Sequence, residues 1–156
     1  MKKWIKRILL VLLLAFIVMQ FIRPDRNISD VVLDSDLVKV TNTPDEIQTI
    51  LKTSCYDCHS NNTAYPWYSN IAPVSYWLDD HIEHGKGHLD FSQWSTYSAK
   101  KKAHKLEELI EEVKEHKMPL DSYLWIHKDA KLSEDQITQL TNWAQNLRTI
   151  YQSEVK

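Results

Sequence analysis

Five consecutive residues, Cys55-Tyr56-Asp57-Cys58-His59, constrain this chain more than any other stretch. Cysteines three positions apart lie about one helical turn from each other, so both thiols can reach the two vinyl groups along one edge of a haem. The histidine that follows can place its imidazole under the iron. The spacing Cys-x-x-Cys-His is the attachment motif of c-type haem. It predicts one covalently attached haem c, held by Cys55 and Cys58, with His59 as the proximal iron ligand.

A module without haem is the competing interpretation of this motif. A structural zinc site needs four ligands, usually from a second Cys or His pair at short spacing, and His84 and His88 lie far from the cysteines in sequence. A thioredoxin-like dithiol requires a βαβ context, and no strand-rich pattern is visible. A plain disulfide in an oxidising compartment is the third alternative. A non-haem zinc or dithiol module therefore remains an alternative to haem binding.

Length and composition favour one helical domain behind an N-terminal segment. The chain has 156 residues but only two glycines, which disfavours a β-rich architecture with many tight turns. Six Trp, seven Tyr and three Phe supply enough apolar surface to enclose a flat cofactor. The net charge of -2 gives no reason to expect a nucleic-acid partner.

The N-terminus has the pattern of an export signal. Four basic residues precede an uncharged apolar run at positions 8–22: Lys2, Lys3, Lys6 and Arg7. We expect residues 1–23 to form an uncleaved transmembrane helix, with a cleaved signal peptide as the alternative. Basic flanks stay in the cytoplasm, so the protein is expected to be a single-pass protein of the cytoplasmic membrane with its C-terminal domain in the periplasm. That is the compartment in which bacteria attach haem to such motifs.

Residues 24–42 are predicted to be a tether or an irregular packed segment, and residues 43–152 the haem-binding domain. The first helix of the domain is expected to begin with a capping box of Thr43 and Glu46 and to carry the two thiols. A second helix is expected from Pro73 to a C-cap at Gly85. A third ends near residue 116, and the last is capped by Ser133 with Gln136.

Met118 is the predicted distal iron ligand. It is the only methionine of the predicted domain, and Pro119 holds it in a non-helical bend. His116 and His127 are the alternative ligands. The aromatic loop 65–73 is expected to surround the haem, with Trp67 and Pro73 beside it, and one of its carbonyl groups is expected to orient the proximal histidine.

The haem motif, the helix leading into it, Met118-Pro119 and the last amphipathic helix together resemble a class I c-type cytochrome. More narrowly, residues 55–63, residues 65–73 and the Lys117-Met118-Pro119 segment resemble the small membrane-anchored haem-binding domain family of bacteria, over residues 44–151. The resemblance implies an all-α, cytochrome c-like domain around one haem, preceded by one N-terminal transmembrane helix.

One-electron transfer to an unidentified redox partner protein is the expected function. No catalytic dyad or phosphate-binding loop is visible, so we expect an electron carrier and not an enzyme. The alternative is a haem sensor or a peroxidase-like protein with an open sixth iron site. The acidic run at positions 107–115 is expected to be a solvated face or a docking patch for the redox partner.

Overall fold

The computed structural model describes residues 2–29 and 31–155. Met1 and Asp30, which fall in the predicted anchor and tether, and Lys156 lie outside the described residues. Within the two described ranges the chain forms only helices and loops, with one isolated bridge between Ile28 and Asn62, which confirms the all-α prediction. The α-helices are α1 Lys2–Met19, α2 Leu37–Val40, α3 Asp45–Ser54, α4 Tyr56–His59, α5 Val74–His88, α6 Ala99–Lys114, α7 Asp121–Leu124 and α8 Glu134–Glu154. Short 3₁₀ turns cover Trp67–Asn70, Phe91–Thr96 and Lys128–Ala130.

The predicted transmembrane helix at residues 1–23 is wrong. No helix of the described residues is both long enough and apolar enough to cross a membrane. Helix α1 has 18 residues, but its first six include Lys2, Lys3, Lys6 and Arg7. The uncharged part therefore runs only from residue 8 to residue 19, a rise of roughly 18 Å against a hydrocarbon core of ~30 Å. The sequence interpretation had continued the helix to residue 22, where the chain has already left helical geometry.

Helices α6 and α8 pack along each other and form the main wall of the core. Leu106 of α6 and Leu140 of α8 are fully buried between them. Local sequence signals start both helices: the Ser98 side chain accepts a hydrogen bond from the Lys101 amide, and Ser133 forms the predicted capping box with Gln136. Helix α3 packs against α8 through its apolar face.

Two predicted helix ends differ from the structure. Pro44, not Thr43, is the N-cap of α3, and the Thr43 hydroxyl is hydrogen-bonded to that of Thr41, so the predicted capping box does not form. Helix α5 does not end at Gly85 but continues to His88. A glycine inside a helix costs stability relative to alanine, so its position there calls for a packing reason.

Residues 31–42 pack into the domain. Asp36 is fully buried and caps α2 by accepting a hydrogen bond from the Val38 amide. Its carboxyl group also accepts hydrogen bonds from the Tyr56 hydroxyl at 2.6 Å and from the Ser92 hydroxyl at 3.3 Å. Since Tyr56 lies between the two cysteines, this segment helps to fix the Cys-x-x-Cys-His stretch.

Candidate cofactor site

The two thiols lie where helix α3 gives way to the single turn of α4. Ile47, Ile50 and Leu51 bury one face of α3, and this face leads to Cys55. Cys55 ends α3, with its amide donating to the Leu51 carbonyl at 2.9 Å, and its own carbonyl accepts from the His59 amide at 3.0 Å. The turn of α4 therefore holds Cys58 and His59 in a fixed relation to Cys55.

Helix α5 approaches this turn so closely that only glycine fits at position 85. A Cβ atom on Gly85 would lie 2.6 Å from the carbonyl oxygen of Cys58 and 3.2 Å from the Cys58 Cβ atom. The first distance is too short for a real contact and the second is tight, and the nearest atom is backbone, which cannot move away without a large cost. The interior glycine of α5 therefore allows the helix to lie directly against the attachment motif.

The imidazole of His59 is oriented by a backbone carbonyl. Its Nδ1 atom lies 2.9 Å from the carbonyl oxygen of Leu89, which can only accept a hydrogen bond, so Nδ1 carries the proton. The Nε2 atom is left with the lone pair that a metal ligand needs. The prediction of an acceptor in the loop 65–73 is wrong. The acceptor is Leu89, the residue directly after α5, which the chain brings back to the imidazole.

Burial keeps His59 neutral. Loss of solvent lowers the pKa of His59 below its ordinary value, and the carbonyl groups of Leu89 and Gly85 oppose this shift only in part. A neutral imidazole is the form that coordinates a metal ion. Phe91 packs beside the ring, with a distance of 6.0 Å between the ring centroids.

The two thiols are free and protonated in this environment. Burial is the main cause that raises the pKa of Cys55 to about 12, and the neighbouring Cys58 is the second. Burial, and next the Asp57 carboxylate, raises the pKa of Cys58 to about 11. Neither thiol is therefore stabilised as the thiolate that zinc binding requires.

Both cysteines and His59 line a cavity of about 550 Å³ between α4, α5, α6 and the segment that follows α6. This volume lies within the range of ~300–1,000 Å³ that is usual for cofactor pockets. Its wall is mostly apolar, with polar side chains from α5 and α6. The lining residues from these two helices are Asp80, His81, His84, Gly85, His88, Lys105, Glu108, Leu109, Glu111, Glu112 and Val113.

Met118 lines the same cavity, together with Pro119 and Leu120. The amides of Lys117 and Met118 both donate to the carbonyl oxygen of Glu112, at 2.9 and 3.1 Å, which fastens the segment to the end of α6. The structure thus brings the predicted proximal residue and the predicted distal residue to one cavity. A soft thioether and an imidazole are a ligand pair that suits haem iron.

The other predicted site residues lie elsewhere. Trp67 is 77% exposed, and neither Trp67 nor Pro73 is among the described residues that line the cavity. His116 is exposed, with a left-handed φ of 54°, and it also lies outside the lining. His127 also lies outside the lining. Its ring is stacked on that of Tyr123, with centroids 4.1 Å apart, and its Nε2 atom lies 2.6 Å from the Tyr68 hydroxyl.

Several lining residues were missed by the sequence interpretation. Leu109 follows the helical period of α6 and could have been found from that pattern. Leu89, Phe91 and Tyr123 reach the site only through tertiary packing, and no local signal marks them.

The residues present fit a haem in volume, in polarity and in ligand chemistry. A family model described as a haem-binding domain matches residues 14–146 of the chain. No curated protein and no solved structure matches it.

Proposed function

The chain belongs to the haem-binding domain family, and we propose that it carries a single haem c and transfers electrons one at a time. In this proposal Cys55 and Cys58 form the thioethers, while His59 and Met118 are the axial ligands. When bound, the haem supplies an iron that alternates between the ferrous and ferric states. The observation that carries the proposal is that all four residues line one cavity.

The environment of the thiols supports covalent attachment. Addition of an S–H group across a vinyl double bond forms a thioether and transfers the hydrogen to carbon, so it needs no leaving group. Both thiols are free, lie on one wall of the cavity and are three residues apart. The fixed turn of α4 presents them together with His59.

The zinc alternative lacks its ligands. Within residues 2–29 and 31–155, no group of three or more His, Cys, Asp or Glu side chains lies close enough to hold a metal ion. A structural zinc site needs four such ligands. The raised pKa values of Cys55 and Cys58 also disfavour zinc thiolates.

Met118 supports an electron carrier over an enzyme or a gas sensor. A filled sixth position leaves no site for a substrate on the iron, and such a haem exchanges electrons with a redox partner protein. We place the domain outside the cytoplasm, where bacteria attach haem to Cys-x-x-Cys-His motifs. Fractionation of cells that produce the full chain checks this, and recovery of the haem-bearing protein in the cytoplasmic fraction would contradict it.

Haem staining after denaturing electrophoresis tests the attachment. The full chain should give a stained band, because a thioether survives denaturation, and Cys55→Ala/Cys58→Ala should give none. The absorption spectrum of the native protein should be low-spin in both oxidation states, and added CO should bind slowly. A high-spin spectrum with rapid CO binding would instead support an open sixth site.

A further inference from the structure

Asp57, the residue just before Cys58, is tied to the segment that bears Met118. Its Oδ2 atom accepts a hydrogen bond from the Tyr123 hydroxyl at 2.7 Å, and its Oδ1 atom accepts one from the Ala64 amide at 2.9 Å. Both carboxylate oxygens are therefore engaged, and the side chain cannot rotate without losing one partner.

Tyr123 is itself held on several sides. Its amide donates to the Leu120 carbonyl at 3.0 Å, and its carbonyl accepts from the His127 amide at 3.1 Å. The rings of Tyr123 and His127 are stacked with an angle of 7° between their planes, and the Tyr68 hydroxyl is hydrogen-bonded to the Nε2 atom of His127 at 2.6 Å. Tyr123, which lines the cavity, is thus held in place and connects this wall to the Cys-x-x-Cys-His motif through Asp57.

Met118 lies between two such fixed points. On its N-terminal side the Glu112 carbonyl binds the Met118 amide, and five residues further on Tyr123 is bound to Asp57. Pro119 and Leu120, between them, also line the cavity. Removal of one anchor would free this short segment to move away from the cavity.

We propose that Tyr123 is a positioning residue for the distal ligand: its hydrogen bond to Asp57 holds Met118 against the haem that Cys55 and Cys58 fix. The inference rests on the proposed His59 and Met118 ligation. Asp57, one of the two residues between the cysteines, thereby joins the proximal and the distal side of the site. A hydrogen bond to a carboxylate is among the stronger ones in proteins, so its loss should open the distal side measurably.

The experiment compares Tyr123→Phe with Tyr76→Phe in the full haem-bearing chain. The Tyr76 hydroxyl is likewise hydrogen-bonded, to the backbone carbonyl groups of Met19 and Ile22 and not to a carboxylate, and Tyr76 lies outside the cavity lining. Tyr123→Phe keeps the stacked ring and removes only the hydroxyl. We expect it to weaken the far-red sulfur-to-iron band of the ferric protein and to raise the rate of CO binding to the ferrous protein roughly tenfold. Tyr76→Phe should change neither.

A double-mutant comparison makes the test sharper. Asp57→Ala removes this hydrogen bond and also the one from the Ala64 amide, so its effect should be at least that of Tyr123→Phe. The double variant should add little to Asp57→Ala alone, because the bond that Tyr123→Phe removes is already lost. A far-red band and a CO rate that are unchanged in Tyr123→Phe would overturn this inference alone. A wild-type spectrum without the band would overturn the methionine ligation as well.

Discussion

The Nδ1 atom of His59 lies 2.9 Å from the carbonyl oxygen of Leu89, a residue 30 positions further along the chain. This contact decides which imidazole nitrogen keeps its lone pair for the iron coordination that we propose. Helix α5 makes it, since Gly85 lets the helix lie against α4 and the chain after His88 then returns past the imidazole. The chemistry of the site therefore depends on how one helix packs.

Met118→Ala should change the distal side of the haem and leave the attachment intact. A thioether favours ferrous over ferric iron, so its loss should lower the reduction potential. The far-red band should disappear and CO should bind rapidly, while haem staining persists through Cys55 and Cys58. Redox titration and absorption spectroscopy measure these changes. His116→Ala is the control, because His116 is exposed outside the lining, and a loss of the low-spin state in that variant would transfer the ligand role to His116.

Gly85→Ala and Gly87→Ala should have opposite effects on stability. Both glycines lie in α5, but a Cβ on Gly85 meets the Cys58 carbonyl, whereas a Cβ on Gly87 meets nothing within 4 Å. We expect Gly85→Ala to lower the free energy of unfolding by about 1–3 kcal/mol through overpacking. Gly87→Ala should raise it by roughly 0.5–1 kcal/mol through helix propensity. Urea unfolding measures the free energy of unfolding of both variants, and equal effects of the two changes would refute the close approach of α5 to α4.

The haem-free protein should lose stability in alkaline solution because of its buried thiols. Thiols of the unfolded chain ionise near the ordinary pKa of 9.0, but those of the folded chain ionise near about 12 for Cys55 and about 11 for Cys58. At a pH between the unfolded and the folded pKa of a thiol, the folded state holds more protons than the unfolded state. The free energy of unfolding therefore falls as pH rises. The slope is roughly 1.4 kcal/mol per pH unit for each thiol.

Urea unfolding of haem-free protein at pH 8 and pH 10 measures this slope. Cys55→Ala/Cys58→Ala is the matched control and should show a clearly shallower dependence on pH. Parallel slopes for the two proteins would mean that the thiols are not buried as described.

Asp36→Ala should destabilise the fold more than Tyr56→Phe does. The alanine leaves three donors without their acceptor, namely the Tyr56 hydroxyl, the Val38 amide and the Ser92 hydroxyl. We expect a loss of about 3–5 kcal/mol for Asp36→Ala and about 1–2 kcal/mol for Tyr56→Phe, which removes one donor only. Denaturant unfolding of both variants provides the comparison, and similar losses would argue against a carboxyl group shared by three donors.

Local patterns predicted those parts of the molecule that local interactions form. The spacing of Cys55, Cys58 and His59 selected the residues of the site, and the Ser133 capping box marked the start of α8. The apolar residues of α6 recur at helical spacing, and this pattern accounts for its buried face with Leu106 and Val113. Each of these features depends on residues within a few positions of one another.

Contacts between distant segments could not be predicted in this way. The carbonyl group that orients His59 belongs to Leu89, and nothing in the residues around Leu89 distinguishes its carbonyl from any other. Gly85 has the sequence context of a helix end, but the reason for a glycine there is the Cys58 backbone on another helix. The prediction of an N-terminal transmembrane helix was wrong because the apolar run of the sequence continues to residue 22, whereas the helix ends at Met19.

The packing of Gly85 on Cys58 also restricts how the length of this chain can change. Deleting or inserting one residue within α5 before position 85 would turn Gly85 about 100° around the helix axis and present a side chain to the Cys58 carbonyl. An insertion in the turns between α4 and α5 leaves the register of α5 unchanged, and it costs only a small increment of loop entropy where it spares the hydrogen bonds of Asn61 and Ala64. Length variation between the haem motif and Leu89 is therefore tolerable in the turns and excluded from the helix.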